Sequence, residues 1–209
     1  MTATNIEMPT VQMPSAIFDA IVEHAREGKP EEICGIMRGR GTDIYELHRA
    51  RNVAEERIEN YDVDPRALLL QFDFEEAGDE MMGIYHSHPV SVAYPSATDA
   101  WNAHYPDSIY FICSMEFDDA PVIHAFQMTP HFIDLDIETL RSQLGFYETR
   151  AQLFGYFQDA DAEIPAALAA IAAEVTPPFY IVFHATAGPD ATPEGRVVSV
   201  REYPLALAD

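Results

Sequence analysis

The stretch EMMGIYHSHPVSVAYPSATDAWNAHY, residues 80–105, constrains this chain more than any other. EMMGIYHS reads as an apolar strand, and its end delivers two histidines one residue apart, His86 and His88. Side chains two positions apart on a strand leave from the same face, so both imidazoles point the same way. Pro89 to Pro95 is long enough to loop back, and Ser96-x-x-Asp99 then opens a helix over SATDAWNAHY. Ser96 suits the N-cap, and Asp99 suits the first turn, where negative charge matches the helix dipole. Two imidazoles on one face can share a zinc ion, which takes about four ligands; a carboxylate would add a third, and Asp99 is the local candidate. The same residues also read as a polar strand end followed by a capped helix. The two readings are compatible.

Around this stretch the chain alternates strands and helices. Ile17, Phe18, Ile21, Val22 and Ala25 form one apolar stripe of a first helix, with Ser15 as N-cap and Gly28 and Pro30 at its end. EICGIMRG and DIYELHRARNV read as strands on either side of the turn RGRGTD, and residues 51–64 as a polar connection. PRALLLQFDFEEAG reads as a helix with proline at its first position. SIYFICSM and PVIHAFQM are strands joined by the acidic turn EFDDA. Residues 135–158 read as helical, with Leu140, Leu144 and Tyr147 as a stripe and Phe154 and Phe157 beside it. An Ala-rich helix follows at 163–174, and PFYIVFHATA and RVVSVREYPL make a hairpin around GPDATPEG.

Charge removes several function classes. Thirty-five acidic residues face 12 basic ones, a formal net of -23, and Lys29 is the lone lysine. Such a field repels nucleic-acid phosphates and anionic membrane surfaces, so neither is an expected partner. It suits a salty cytoplasm, and secondarily a basic protein partner. The longest candidate apolar run, AALAAIAA, is far short of the roughly 18 residues that cross a bilayer. MTATNIEMPT lacks the basic and apolar regions of a secretory signal, and the expected location is the cytoplasm. Cys34 and Cys113 each lie in an apolar run, which predicts buried reduced thiols.

HSHPVSVAYPSATD resembles the signature of the JAMM (MPN+) metalloproteases: His-x-His, seven residues, Ser, two residues, Asp. The family also carries a glutamate three residues before a glycine in an upstream strand, and Glu32 and Gly35 in PEEICGIMRG match it. FDFEEAGDEMMGIYHSHP and AYPSATD are similar to bacterial members, among them peptidases that release cysteine from a ubiquitin-like sulfur carrier. The resemblance covers roughly residues 11–130. It implies an α/β (α+β) fold with a central mixed sheet flanked by helices, the rest being a helical and β-hairpin extension over 131–209. It implies His86, His88 and Asp99 as Zn2+ ligands, Glu32 as general base, and Ser96 as hydrogen-bond donor to the oxyanion. Zinc, a base and an oxyanion donor together hydrolyse amide bonds. The implied substrate is a ubiquitin-like or sulfur-carrier protein, cut after its terminal glycine.

Two other functions carry the same residues. One is a non-catalytic interaction module of the same fold, against which stand all five motif residues. The other is a relative of the RadC proteins associated with bacterial DNA repair, against which stands the charge. Glu31 and Glu32 alternate along a strand, so one of them faces the site, and the Glu-x-x-Gly spacing selects Glu32. Tyr85 and Tyr94 flank the motif and are candidates for shaping a substrate groove, while Trp101 is expected to pack the Asp99 helix against the core. The extension has three candidate roles: docking on the core, a homodimer interface, or positioning of substrate.

Overall fold

The computed structural model describes residues 8–132, 135–143, 146–149, 152–159, 161, 163–166, 168, 175–184 and 194–209. Contacts divide the chain into two compact units. One comprises residues 1–94, 107–126 and 202–209; the other comprises 95–106 and 127–201.

The first unit is built on a mixed sheet. Its strands are β1 (Val11–Pro14), β2 (Cys34–Arg40), β3 (Asp43–Ala50), β4 (Glu80–His88), β5 (Ile109–Ser114), the start of β6 (Val122–His131) and β11 (Leu205–Ala208). Their order is β11-β1-β3-β2-β4-β5-β6. The β2–β3, β2–β4 and β5–β6 pairs are antiparallel, whereas β4–β5, β1–β3 and β1–β11 are parallel. Helix α1 (Ser15–Gly28) buries Ile17, Ile21, Val22 and Ala25, the expected stripe, in a core that includes Met37, Tyr85 and Phe111. Full burial of an isoleucine or valine contributes about 1.5–3 kcal/mol each, so this stripe is what fixes α1 to the sheet.

Some local expectations change. Ser15 is the first helical residue rather than the N-cap: Pro14 holds that place, and the Ser15 hydroxyl donates to the Ala208 carbonyl 3.2 Å away. The helix expected over 65–78 is two short ones, α2 (Pro65–Leu68) and α3 (Leu70–Glu76), interrupted at Leu69. Leu69 and Phe72 are exposed and, of the two helices, only Phe74 is buried, so too few apolar contacts exist to keep one continuous cylinder. Gly78 ends α3 at φ +78°, a left-handed conformation that glycine adopts freely.

The second unit holds α4 (Ala97–Trp101), α5 (Ile137–Gln143) and the strands β7 (Tyr147–Thr149), β8 (Gln152–Phe157), β9 (Phe179–His184) and β10 (Glu194–Tyr203). Successive strands pair antiparallel in the order β10-β9-β8-β7. Leu140, Val175, Phe179, Ile181, Phe183 and Val197 belong to its core. The β9–β10 pairing is the hairpin expected from the sequence.

The helix expected over 135–158 is not formed as such. α5 covers seven residues, and among the described residues that follow, 147–149 and 152–157 form β7 and β8. Gly145 and Gly155 weaken a helix there, and Phe154, Tyr156 and Phe157 fit a pleated surface better. β8 then finds β9: Tyr156 stacks on Tyr180 at 4.5 Å and Phe157 on Phe179 at 4.8 Å. The proposed stripe breaks accordingly, with Leu140 buried, Tyr147 exposed and Leu144 outside the described residues. The Ala-rich helix expected at 163–174 lies mostly outside the described residues as well. Among the described residues, no helix is long and apolar enough to cross a membrane.

Candidate metal centre

The end of β4 sits between β2 and β5, with His86 opposite Cys34 on one side and Ile112 on the other. That placement buries both histidines, His86 completely and His88 to 6% exposure. Their Nε2 atoms lie 3.1 Å apart. The Nδ1 of His88 is 2.8 Å from the Val92 carbonyl oxygen, which can only accept, so Nδ1 carries the proton and Nε2 keeps its lone pair. Tyr61 stacks on the His86 ring, centroids 4.1 Å apart.

Ser96 and Asp99 form the capping box that their spacing predicts. Ser96 Oγ accepts from the Asp99 amide at 3.1 Å, and Asp99 Oδ2 accepts from the Ser96 amide at 2.7 Å. The bond made by Ser96 uses a lone pair of its hydroxyl, so the proton remains available for donation. Asp99 is buried at 3% exposure, while Ser96 is exposed. His86, His88 and Asp99 each offer one ligand atom, and these atoms lie within 4.8 Å of one another. Two nitrogens on one tetrahedral zinc are separated by about 3.3 Å, given its nitrogen bond lengths. The observed nitrogen spacing and the two-nitrogen, one-oxygen donor set therefore fit such an ion.

Glu32 lies two residues before the start of β2. Its neighbour Ile33 exchanges two bonds with Ser87: the Ile33 amide donates to Ser87 Oγ and the Ser87 amide to the Ile33 carbonyl, both at 3.0 Å. Continuing this register by one residue sets Glu32 opposite His88, on the same sheet face as Cys34 and His86. Glu32 is buried at 8% exposure. Glu31 is more exposed and pairs with Arg57 at 3.4 Å. The backbone of Glu32 is held from both sides, its amide by the Arg57 carbonyl at 2.6 Å and its carbonyl by Asn52 Nδ2 at 2.9 Å. Asn52 also donates to Asn60 and accepts from Ala54 and Asp62, pinning the 51–63 connection beside Glu32. Gly35 is required because a Cβ there would sit 2.3 Å from the Tyr85 ring and 2.4 Å from the His48 carbonyl oxygen.

Residues 14–129, more than half the chain, match the family described as prokaryotic homologs of the JAB domain. This chain belongs to that JAB-domain family. Desampylase of Haloferax volcanii is 41% identical over 103 residues, covering 46% of this chain and 74% of that protein. CysO-cysteine peptidase of Mycobacterium bovis is 38% identical over 100 residues, 47% of this chain and 68% of its own. A solution structure of a Desulfitobacterium hafniense protein matches with a TM-score of 0.51 at 31% identity, over 56% of this chain and 83% of that one. The mixed sheet with few helices is the α+β architecture of JAB domains.

Two tyrosines in this JAB domain take other places than expected, whereas Trp101 and the two cysteines take the places expected. Tyr85 shapes no groove: it is fully buried, and its hydroxyl lies 3.0 Å from His24 Nδ1. Tyr94 is half-buried with its ring edge-on to Phe126 at 5.3 Å. Trp101 packs α4 against β9 and β10, in contact with the His184 ring and the Arg196 guanidinium. Burial pushes the Cys34 and Cys113 thiols up to about 12, Asp62 and Glu32 adding to the effect at Cys34, so both are unreactive at neutral pH. Asn52 and Tyr61 escaped the sequence reading because the polar composition of RNVAEERIENYDVD looks like a solvated connection. An Asn and a Tyr flanking a charge-rich loop gave no periodic signal.

Proposed function

We propose that this chain is a zinc-dependent hydrolase that cuts the amide bond after the C-terminal glycine of a ubiquitin-like or sulfur-carrier protein. The observation that carries the reading is the His86–His88 pair, its Nε2 atoms 3.1 Å apart and one imidazole locked by Val92 with its lone pair inward. The names of its relatives, desampylase and CysO-cysteine peptidase, support both the reaction class and the substrate class.

His86, His88 and Asp99 would hold the metal. When bound, zinc polarises a carbonyl and lowers the pKa of water toward about 7. Glu32 accepts the proton of the attacking water and returns it to the leaving amine, a general base and then general acid. The Ser96 hydroxyl donates to the oxygen on which negative charge develops, a contribution of about 3 kcal/mol for a single well-placed donor. Burial of Glu32 and both histidines excludes bulk water, which strengthens each of these interactions.

Elemental analysis of wild type and His88→Ala side by side tests the metal. One zinc per chain in the first and loss in the second supports the reading. A wild type that stays metal-free after zinc reconstitution sinks it. A panel of ubiquitin-like proteins with cysteine, lysine-isopeptide or short-peptide leaving groups then separates the substrates.

A further inference from the structure

Helix α4 carries both Ser96 at its N-cap and Asp99 in its first turn, yet it is only five residues long. Helices this short are unstable alone, since one turn of hydrogen bonds does not offset the cost of nucleation. Its internal bonds include Ala100 to Ser96 at 3.0 Å and Asn102 to Thr98 at 2.9 Å. A ligand and a hydrogen-bond donor need placement to within about 0.5 Å, so something else must hold this turn.

Three side chains do so, and all lie beyond residue 129, where the family match ends. At the N-terminal side, the Tyr180 hydroxyl donates to the Pro95 carbonyl, directly before Ser96. In the middle, Thr98 Oγ1 donates to Gln152 Oε1 at 3.1 Å, and Gln152 is buried. At the C-terminal end, Arg196 Nη1 donates to the Trp101 carbonyl at 2.9 Å and lies 3.2 Å from His104 Nδ1. The same guanidinium lies over the Trp101 ring at 4.2 Å and near Phe132 at 5.4 Å. A cation there also meets the negative end of the helix dipole. Tyr180, Gln152 and Arg196 come from three neighbouring strands, β9, β8 and β10, so the three contacts share one rigid frame.

We propose that the C-terminal extension is a brace for the site: Arg196, Tyr180 and Gln152 are positioning residues that hold α4, and through it Ser96 and Asp99, in working geometry. The proposal rests on the zinc reading above for its consequence, but not for its geometry. The extension is then part of the catalytic apparatus rather than an independent module, and a chain truncated to the family match would lose the support of its third ligand.

Trp101 is the chain's single tryptophan, so its fluorescence reports on the brace directly. Arg196→Gln, Arg196→Lys and Tyr180→Phe are compared with wild type in the full chain. Two readouts are taken: Trp101 emission without metal, and zinc affinity by competition with a chromophoric chelator. Arg196 is half-buried and Tyr180→Phe removes one oxygen, so both variants retain the fold, which a thermal melt verifies. Arg196→Gln shifts Trp101 emission to the red and weakens zinc binding about tenfold, the usual effect of losing an outer support of a metal ligand. Tyr180→Phe weakens zinc binding similarly with little change in emission, and Arg196→Lys recovers part of the loss. Unchanged zinc affinity in both Arg196→Gln and Tyr180→Phe overturns the brace, as does unchanged Trp101 emission in Arg196→Gln. A wild type that binds no zinc overturns the metal reading alone, and the Trp101 emission of Arg196→Gln then decides the brace by itself.

Discussion

Tyr61 lies flat on the imidazole of His86, its ring centroid 4.1 Å away and its plane tilted by 15°. With Tyr61 only 5% exposed, the pair is sealed from solvent and His86 has one ring orientation rather than several. Tyr61→Phe keeps the stacked ring, so its zinc affinity stays within about twofold of wild type. Tyr61→Ala removes it and weakens zinc about tenfold, the size seen when a ligand's outer support is lost. Chelator competition on the two variants checks this.

Glu32 should affect catalysis without affecting metal content. Glu32→Gln preserves the backbone bonds to Asn52 and Arg57 but cannot accept a proton. Turnover of a cleavable substrate falls by about 10²–10⁴, while elemental analysis still finds the wild-type zinc content. Loss of zinc in this variant would make Glu32 a ligand instead of a base.

The glycine of the Glu-x-x-Gly step is a matter of space. Gly35→Ala places a methyl 2.4 Å from the His48 carbonyl oxygen, which is backbone and cannot swing aside, and 2.3 Å from Tyr85. Overpacking of this kind costs about 1–3 kcal/mol, and here it falls at the upper end because the obstacle is a paired strand. Urea denaturation should show the midpoint falling with an unchanged slope.

His24 makes stability depend on pH in a defined window. Burial, assisted by the charge of Arg49 and opposed by Glu27, lowers its pKa from 6.5 to about 4. The unfolded chain therefore binds the extra proton between these values, and the folded chain does not. The contribution of His24 is fully present above pH 6.5 and is lost as pH falls toward about 4. His24→Gln keeps a partner for the Tyr85 hydroxyl and removes the titration. Across this window the melting temperature of wild type should fall more steeply than that of the variant as pH drops; parallel curves would refute the assignment.

What the sequence by itself determined is local. His-x-His at a strand end places two imidazoles on one face through the two-residue period of a strand. Ser96-x-x-Asp99 closes its capping box over three residues, and the α1 stripe follows from helical spacing alone. These features need only backbone geometry, and they single out four of the five candidate residues, whose roles the family resemblance supplied. Glu32 needed the Glu-x-x-Gly resemblance, because nothing in PEEICG reveals which glutamate is inward. Tertiary structure decided the rest. Residues 147–149 and 152–157 became strands because β9 offered an edge and aromatic partners, a gain no local propensity can register. Asn52, Tyr61 and Arg196 acquired their positions through contacts that reach up to 95 residues along the chain. Such contacts have no period and no fixed spacing, so they leave no trace in a sequence read along its length.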